Sequence, residues 1–187
     1  MTMQNHSSYS DWADYDNFSP DITVEGSDSK LLPAYLSLIR LSDSAIQNLI
    51  SYFEAQEEPT IIVFFGDHQP ADSVVRPVWK LNGKDDTNLT DEEEALRYKV
   101  PFFIWANFDI EAENDLEISA NYLAAKTLDA AGLPKSAYDN FLSQLRTEVP
   151  VISANHVTLS DGTFTTASKQ KDLLYDYQTL QYYLLFD

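Results

Sequence analysis

The strongest constraint on the fold is an unbroken apolar run, Ile61–Phe65, which ends at Gly66. β-Branched and aromatic residues in series, without polar alternation, are typical of a strand buried on both faces, as in a parallel α/β sheet. Asp67 and His68 follow directly, and open α/β sheets bind ligands beyond the carboxyl ends of their strands. A carboxylate and an imidazole at that place predict one half of a divalent-metal site, because metal centres usually have at least three protein ligands.

The composition limits the function classes. The chain has 187 residues, 44% of them hydrophobic, so it can form a domain with a core. Its formal net charge of −18 argues against a nucleic-acid partner and against adhesion of this segment to anionic lipid. No apolar run reaches the roughly 18–20 residues of a membrane span, so we expect a soluble chain. Because cysteine is absent, a metal ion would rely on histidines and oxygen ligands, which favours Mn²⁺ or Mg²⁺ and also suits Zn²⁺.

The periodicity predicts an α/β chain with a small α+β addition at its C-terminal end. Residues 7–30 are predicted to form an irregular loop, and residues 71–90 a polar excursion. Helices are predicted over residues 30–56, 91–98, 119–131, 136–147 and 169–186, strands over 60–66 and 100–106, and short antiparallel strands over 151–153, 157–159 and 163–166. We therefore predict two domains, residues 1–148 and residues 149–187.

The remaining candidate residues are weaker when taken alone. His6 lies in a loop rich in Ser and Asn, where a histidine is usually just exposed. His156 lies between two short predicted strands and is interpreted as structural, as is Asp43 on the first long helix. Even the Asp67-His68 pair has an ordinary alternative, in which Asp67 caps the next turn and His68 forms a local hydrogen bond. The residues by themselves leave both interpretations open.

Several segments, in order along the chain, carry a family resemblance. They are T-M-Q-N-H-S-S-Y at residues 2–9, I-I-V-F-F-G-D-H-Q-P at 61–70, V-P-F-F-I-W at 100–105 and L-L-Y-D-Y-Q-T-L-Q-Y at 173–182. Together they resemble bacterial phosphoglycerol transferases, the lipoteichoic acid synthase-like branch of the sulfatase family. The resemblance implies the C-terminal part of an alkaline-phosphatase-like α/β/α sandwich, followed by a small antiparallel β unit and a closing helix.

The resemblance also implies roles for particular residues. Asp67 and His68 would be two ligands of one divalent ion, Mn²⁺, Mg²⁺ or Zn²⁺, and His6 would contact the phosphate of the substrate. The family's nucleophile is a Thr in the N-terminal half, so no catalytic residue is expected in this chain. The ion would lower the pKa of that Thr hydroxyl, and transfer would pass through a phospho-Thr intermediate.

The parent protein implied by this resemblance is a bacterial membrane protein whose catalytic domain lies outside the cytoplasm. Its substrate would be a phosphoglycerol lipid or glycan. We expect the present chain to be nearly inactive alone and to self-associate if a sheet edge is exposed. Two alternatives are a sulfatase or phosphodiester hydrolase of the same fold, and a non-catalytic binding or structural module. A Thr at the nucleophile position would support transfer, whereas a formylglycine motif would support sulfate-ester hydrolysis.

Overall fold

A computed structural model describes residues 5, 6, 9 and 21–186, which form a mixed α/β fold with small antiparallel sheets and a C-terminal helix. The predicted loop at residues 7–30 falls partly outside the described residues, as does much of the 2–9 motif. The elements are α1 (Leu31–Glu54), β1 (Ile61–Phe65), α2 (Asp72–Leu81), α3 (Asp91–Ala95), β2 (Phe102–Ala106), α4 (Leu123–Ala130), α5 (Ala137–Glu148), β3 (Val151–Ile152), β4 (Val157–Thr158), β5 (Phe164–Thr165) and α6 (Lys171–Phe186), with 3₁₀ turns at Leu96–Tyr98, Ala120–Tyr122 and Ala167–Lys169.

The pairing and burial of β1 differ from the prediction. β1 pairs with β2 in an antiparallel sheet, with Ile61 opposite Ala106 and Phe65 opposite Phe102. The strand is half-buried along most of its length, and Phe65 is exposed. An apolar run without alternation contains no information about strand direction. Among the described residues this sheet has two strands, and β2 is half-buried along its whole length.

The chain divides into two compact units. The first comprises Met1–Thr60 and Gly66–Pro101, and the second comprises Ile61–Phe65 and Phe102–Asp187. Residues 149–187, predicted to form a domain of their own, lie within the second unit, and the boundary after residue 148 stays a prediction. In the described part of the chain, no helix combines the length and the hydrophobicity needed to cross a membrane.

The core of the first unit joins α1 to α2. Its buried apolar side chains are Tyr9, Leu32, Ala34, Leu38 and Val74. Only the N-terminal half of α1 contributes to this core, whereas apolar residues farther along the helix, such as Leu49, are exposed. Near the start of α1, the Oγ of Ser29 accepts a hydrogen bond from the Leu32 amide at 3.2 Å.

Helix α2 lies in the segment predicted to be a polar excursion. Pro77 lies inside the helix, where it has no amide hydrogen to donate, so the sequence argues against a helix here. The helix is started by Val74 and Val75, whose amides donate to the Ala71 carbonyl at 2.8 and 3.2 Å. Val74 is then almost completely buried in the core of the first unit. Burial of this face in tertiary packing outweighs the low helix propensity of one proline.

The second unit has a separate core built around Tyr122. Tyr122, Ala125, Val149, Val157 and Leu174 are its most deeply buried members. The Tyr122 hydroxyl donates to the Val149 carbonyl at 2.7 Å, and burial raises the pKa of this phenol. The three-stranded sheet β3-β4-β5 is antiparallel, as predicted.

The last turns of α6 leave large apolar side chains in contact with solvent. Leu184, Leu185 and Phe186 are 64%, 74% and 71% exposed. Self-association of the chain stays a prediction, since a surface of this kind does not by itself identify what covers it.

Candidate metal half-site

The Gly66–Pro70 turn connects β1 to α2 and carries the predicted metal ligands. Gly66 continues the strand pairing by one residue, because its amide donates to the Pro101 carbonyl at 3.0 Å. A Cβ atom at Gly66 would lie only 3.1 Å from the Cβ of Val100. Glycine therefore suits this position, because Val100, just before β2, approaches it closely. This close approach fixes where the turn begins.

The His68 side chain has a defined tautomer. Its Nδ1 lies 2.8 Å from the Gln69 carbonyl oxygen. A carbonyl can only accept, so Nδ1 carries the proton and donates it. In the neutral ring Nε2 then keeps its lone pair, and this is the form in which imidazole binds metal ions. The hydrogen bond predicted as the ordinary alternative is thus present, and it favours a ligand role for Nε2.

Asp67 and His68 face a common point. The Nε2 atom of His68 lies 3.8 Å from Oδ2 of Asp67, and both side chains are more than half exposed. Two ligands bound at about 2.1 Å to one ion lie roughly 3–4 Å apart, so the pair fits one divalent ion as a half-site. Within residues 5, 6, 9 and 21–186 no group of three or more His, Cys, Asp or Glu side chains has the arrangement of a metal site.

His6 is brought next to His68, which the sequence alone could not show. The centroids of the two imidazole rings are 6.0 Å apart, in an edge-to-face arrangement. Asn5, its neighbour, donates through Nδ2 to Ser42 Oγ on α1 at 2.9 Å. The buried Tyr9 donates its hydroxyl to the Asn5 carbonyl at 2.7 Å. Asn5, next to His6, is therefore held to α1, and Tyr9 is bonded to Asn5.

Asn5, Tyr9 and Ser42 are supporting residues that the sequence analysis did not single out. Of the three, Tyr9 could be recognised from the sequence, because an aromatic residue within a polar loop often packs into the core. Its ring packs edge-on against Tyr35 of α1, with centroids 5.5 Å apart. Asp43, interpreted as structural, is exposed on α1 beside Ser42.

His156 does not belong to this site. It is buried in the second unit, where Nδ1 lies 2.8 Å from Ser153 Oγ and the ring stacks on Phe164 at 4.7 Å. These contacts fit the predicted structural role.

A mostly apolar cleft of about 230 Å³ lies beside the turn in the first unit. α1 and α2 form its walls, Gln69 and Pro70 border it, and Arg97 supplies its charged group. The turn therefore has both exposed polar side chains and a neighbouring cavity that can accept part of a small molecule.

Comparison with known proteins decides the family. The sequence model of the Sulfatase family matches residues 1–133. The chain belongs to the sulfatase family. In this sulfatase-family chain the matched region includes the whole His6, Asp67 and His68 arrangement.

Two relatives show how much of a longer protein this chain corresponds to. It is 24% identical over 197 residues to a proposed cyclic β-1,2-glucan modification protein of Rhizobium meliloti (strain 1021), an alignment that covers 100% of this chain and 30% of that protein. It is also similar to the solved structure of the Streptococcus pyogenes phosphoglycerol transferase GacH in complex with sn-glycerol-1-phosphate, at a TM-score of 0.50 and 18% identity. That match covers 72% of this chain and 33% of GacH, and it confirms the fold class. The chain thus spans about a third of the length of either protein.

Proposed function

We propose that this chain is the C-terminal, metal- and substrate-binding part of a phosphoglycerol transferase of the sulfatase family. The observation that carries the proposal is the pairing of His68 Nε2 with Asp67 Oδ2, 3.8 Å apart, directly after a strand of a sulfatase-family domain. The preference for a transferase is supported by the fold shared with GacH, a phosphoglycerol transferase. Mn²⁺, Mg²⁺ and Zn²⁺ all suit a donor set of one carboxylate and one imidazole.

We assign a separate role in metal or substrate binding to each of three residues of the chain. Asp67 supplies negative charge, and His68 supplies a neutral nitrogen whose orientation is fixed by the Gln69 carbonyl. His6, 6.0 Å from His68 between ring centroids, contacts the phosphate of the substrate. A bound divalent ion would lower the pKa of a Thr hydroxyl and stabilise negative charge on the phosphoryl group. That Thr, the nucleophile, would belong to the part of the parent protein outside this chain.

The same comparisons support a proposal for the substrates. The donor would carry a phosphoglycerol group, in keeping with the sn-glycerol-1-phosphate in the GacH structure. The acceptor would be a lipid or glycan of the cell envelope, and the Rhizobium relative, named for the modification of a cyclic glucan, favours a glycan. Such substrates lie outside the cytoplasm, so we propose an extracytoplasmic catalytic domain. The cleft beside the turn offers space for the rest of the donor.

Replacing Asp67 tests the metal half-site. We expect the chain to bind Mn²⁺ and Asp67→Asn to weaken that binding at least 10-fold, because a neutral amide replaces a charged ligand. Isothermal titration calorimetry measures both dissociation constants. Asp28→Asn removes the same charge from an exposed position of the first unit and serves as the control. A wild-type chain that does not bind Mn²⁺, or equal binding by the two variants, would contradict the proposal.

The expected place of the nucleophile gives a separate prediction. We expect the chain alone to show no Mn²⁺-dependent hydrolysis of bis(p-nitrophenyl) phosphate, because metal ligands without a nucleophile do not complete the reaction. Parallel assays with p-nitrophenyl sulfate test the hydrolase alternative. Turnover of the phosphodiester that is lost in His68→Ala would show that the nucleophile is in this chain. Turnover of the sulfate ester would favour a sulfatase.

A further inference from the structure

The Gly66–Pro70 turn is fastened to residues 97–101 at three points. Gly66 donates its amide to the Pro101 carbonyl at 3.0 Å. Gln69 donates its side-chain amide to the Lys99 carbonyl. The Pro70 carbonyl accepts a hydrogen bond from Arg97 Nη1 at 3.2 Å. Asp67 and His68 lie between the first and second of these contacts, so both ends of the segment that carries the ligands are held.

Of the residues that make these three contacts, Arg97 has further contacts with α2. Besides Pro70, its Nη2 donates to Asp72 Oδ1 at 2.7 Å, and Asp72 is the first residue of α2. Its guanidinium lies 5.9 Å from the centroid of the Trp79 ring, within the range of a cation–π interaction. The side chain is 25% exposed. A planar group with several fixed donors can bind two acceptors and stack on a ring at once, which an ammonium cannot do.

The contact with Pro70 lies one peptide beyond the atom that orients His68. The Gln69 carbonyl accepts the Nδ1 hydrogen of His68, and the next carbonyl along the chain, that of Pro70, is the one bound by Arg97. Because the proline ring fixes φ at Pro70, the two carbonyls are coupled, and release of the Pro70 carbonyl would let the Gln69 carbonyl move away from Nδ1. His68 would then lose the contact that fixes its tautomer and the direction of Nε2.

We propose that Arg97 is a positioning residue, which holds the Gly66–Pro70 turn so that His68 Nε2 and Asp67 Oδ2 face one point. This inference rests on the proposed metal-binding function of the turn. Arg97 itself acts at a distance from the ligands, through the Pro70 and Gln69 carbonyls. Trp79 and Asp72 orient the guanidinium for this task.

The test compares Arg97→Met with Arg76→Met. Methionine keeps an unbranched apolar stem and removes the guanidinium. Arg76 is a matched control because it is an exposed arginine of α2 that also pairs with Asp72, at 3.7 Å, and with Asp86, at 2.8 Å. Two measurements are made on the full chain well below its unfolding temperature. They are the Mn²⁺ dissociation constant and the amide hydrogen exchange of peptides that cover residues 66–69, recorded without metal.

We expect Arg97→Met to weaken Mn²⁺ binding by about 10-fold, the usual effect of losing an outer contact that orients a ligand. Exchange should rise in residues 66–69 more than in α1, and Arg76→Met should change neither quantity. Arg97→Lys should restore part of the affinity, because one ammonium can still reach the Pro70 carbonyl. A rise in exchange spread evenly over the first unit would show a merely structural role and would overturn the proposal. So would Arg97→Met values equal to those of Arg76→Met.

The two proposals can fail separately. If the wild-type chain binds no Mn²⁺, the proposed function fails, and hydrogen exchange alone decides about Arg97. An increase in amide hydrogen exchange confined to residues 66–69 in Arg97→Met would then still support the proposal that Arg97 holds the turn. Unchanged exchange would overturn that proposal. If the wild-type chain binds Mn²⁺ and Arg97→Met binds it equally well, only the positioning role is refuted.

Discussion

We expect His68→Ala to lower the affinity of the chain for Mn²⁺ by about 100-fold, because it would remove one of the two ligands proposed for this chain. The expected loss exceeds that for Asp67→Asn, since an amide oxygen can still bind weakly whereas a methyl group cannot. Isothermal titration calorimetry at constant pH measures the change. Circular dichroism checks that the fold is retained, which we expect because His68 is exposed and lies outside both cores.

Two further substitutions identify which nitrogen of His68 binds the ion. The amide group of glutamine reaches about as far as Nε2, whereas that of asparagine reaches only as far as Nδ1. Because Nδ1 donates to the Gln69 carbonyl and Nε2 faces Asp67, His68→Gln should retain more Mn²⁺ affinity than His68→Asn. The reverse order would show that Nδ1 is the ligand and that the turn rearranges when the ion binds.

His6→Ala is the matched control for His68→Ala. The two histidines are both exposed and their rings are 6.0 Å apart, and the proposed half-site consists of His68 and Asp67. We expect His6→Ala to leave Mn²⁺ affinity within about twofold of wild type and to weaken binding of sn-glycerol-1-phosphate instead. A loss of Mn²⁺ affinity as large as that of His68→Ala would make His6 a ligand and contradict its assignment to the phosphate.

Tyr122→Ala lowers the free energy of unfolding of the second unit by about 4 kcal/mol, because it empties the centre of a packed core. Tyr122 is 1% exposed and is among the largest completely buried side chains of the described residues. Urea unfolding followed by circular dichroism measures the loss. Tyr175→Ala is the control, since that side chain is 65% exposed and its removal should change stability by less than about 0.5 kcal/mol. Equal effects of the two substitutions would contradict the assignment of this core.

Tyr122→Phe separates the hydroxyl from the ring. It removes the hydrogen bond to the Val149 carbonyl and should cost about 1–2 kcal/mol at neutral pH. Burial raises the pKa of Tyr122, so its phenol keeps the proton to higher pH in the folded state than in the unfolded state. The associated stability is complete below the unfolded pKa of about 10 and is lost as the pH rises above that value. The variant should therefore lose less stability than wild type between neutral and strongly alkaline pH.

The sequence predicted most of the elements because their signals are local. A capping box of Thr90 and Glu93 is present at the start of α3, and a turn at Asp161-Gly162 connects β4 to β5. Local signals failed for α2, whose Val74 is buried by a partner helix that lies far away in sequence. They also failed for the direction of β2 relative to β1, which depends on the path of the intervening chain.

The site was predictable only in its two adjacent residues. Asp67 and His68 are neighbours in sequence at a strand end, so their proximity follows from the covalent chain. The approach of His6 depends on Asn5 and Tyr9 and on their contacts with α1, which no spacing rule contains. The family resemblance, not the pattern of residues, named His6 in advance.

Three contacts join residues 66–70 to residues 97–101. Because of them, some segments of the first unit tolerate the insertion or deletion of residues less well than others. Removing one residue between Arg97 and Pro101 would pull at least one contact out of register, since each joins a defined pair of positions. The polar stretch between α2 and α3 makes none of these contacts. Insertions can therefore accumulate there during evolution. Residues 66–70 and residues 97–101, in contrast, must each keep a constant length.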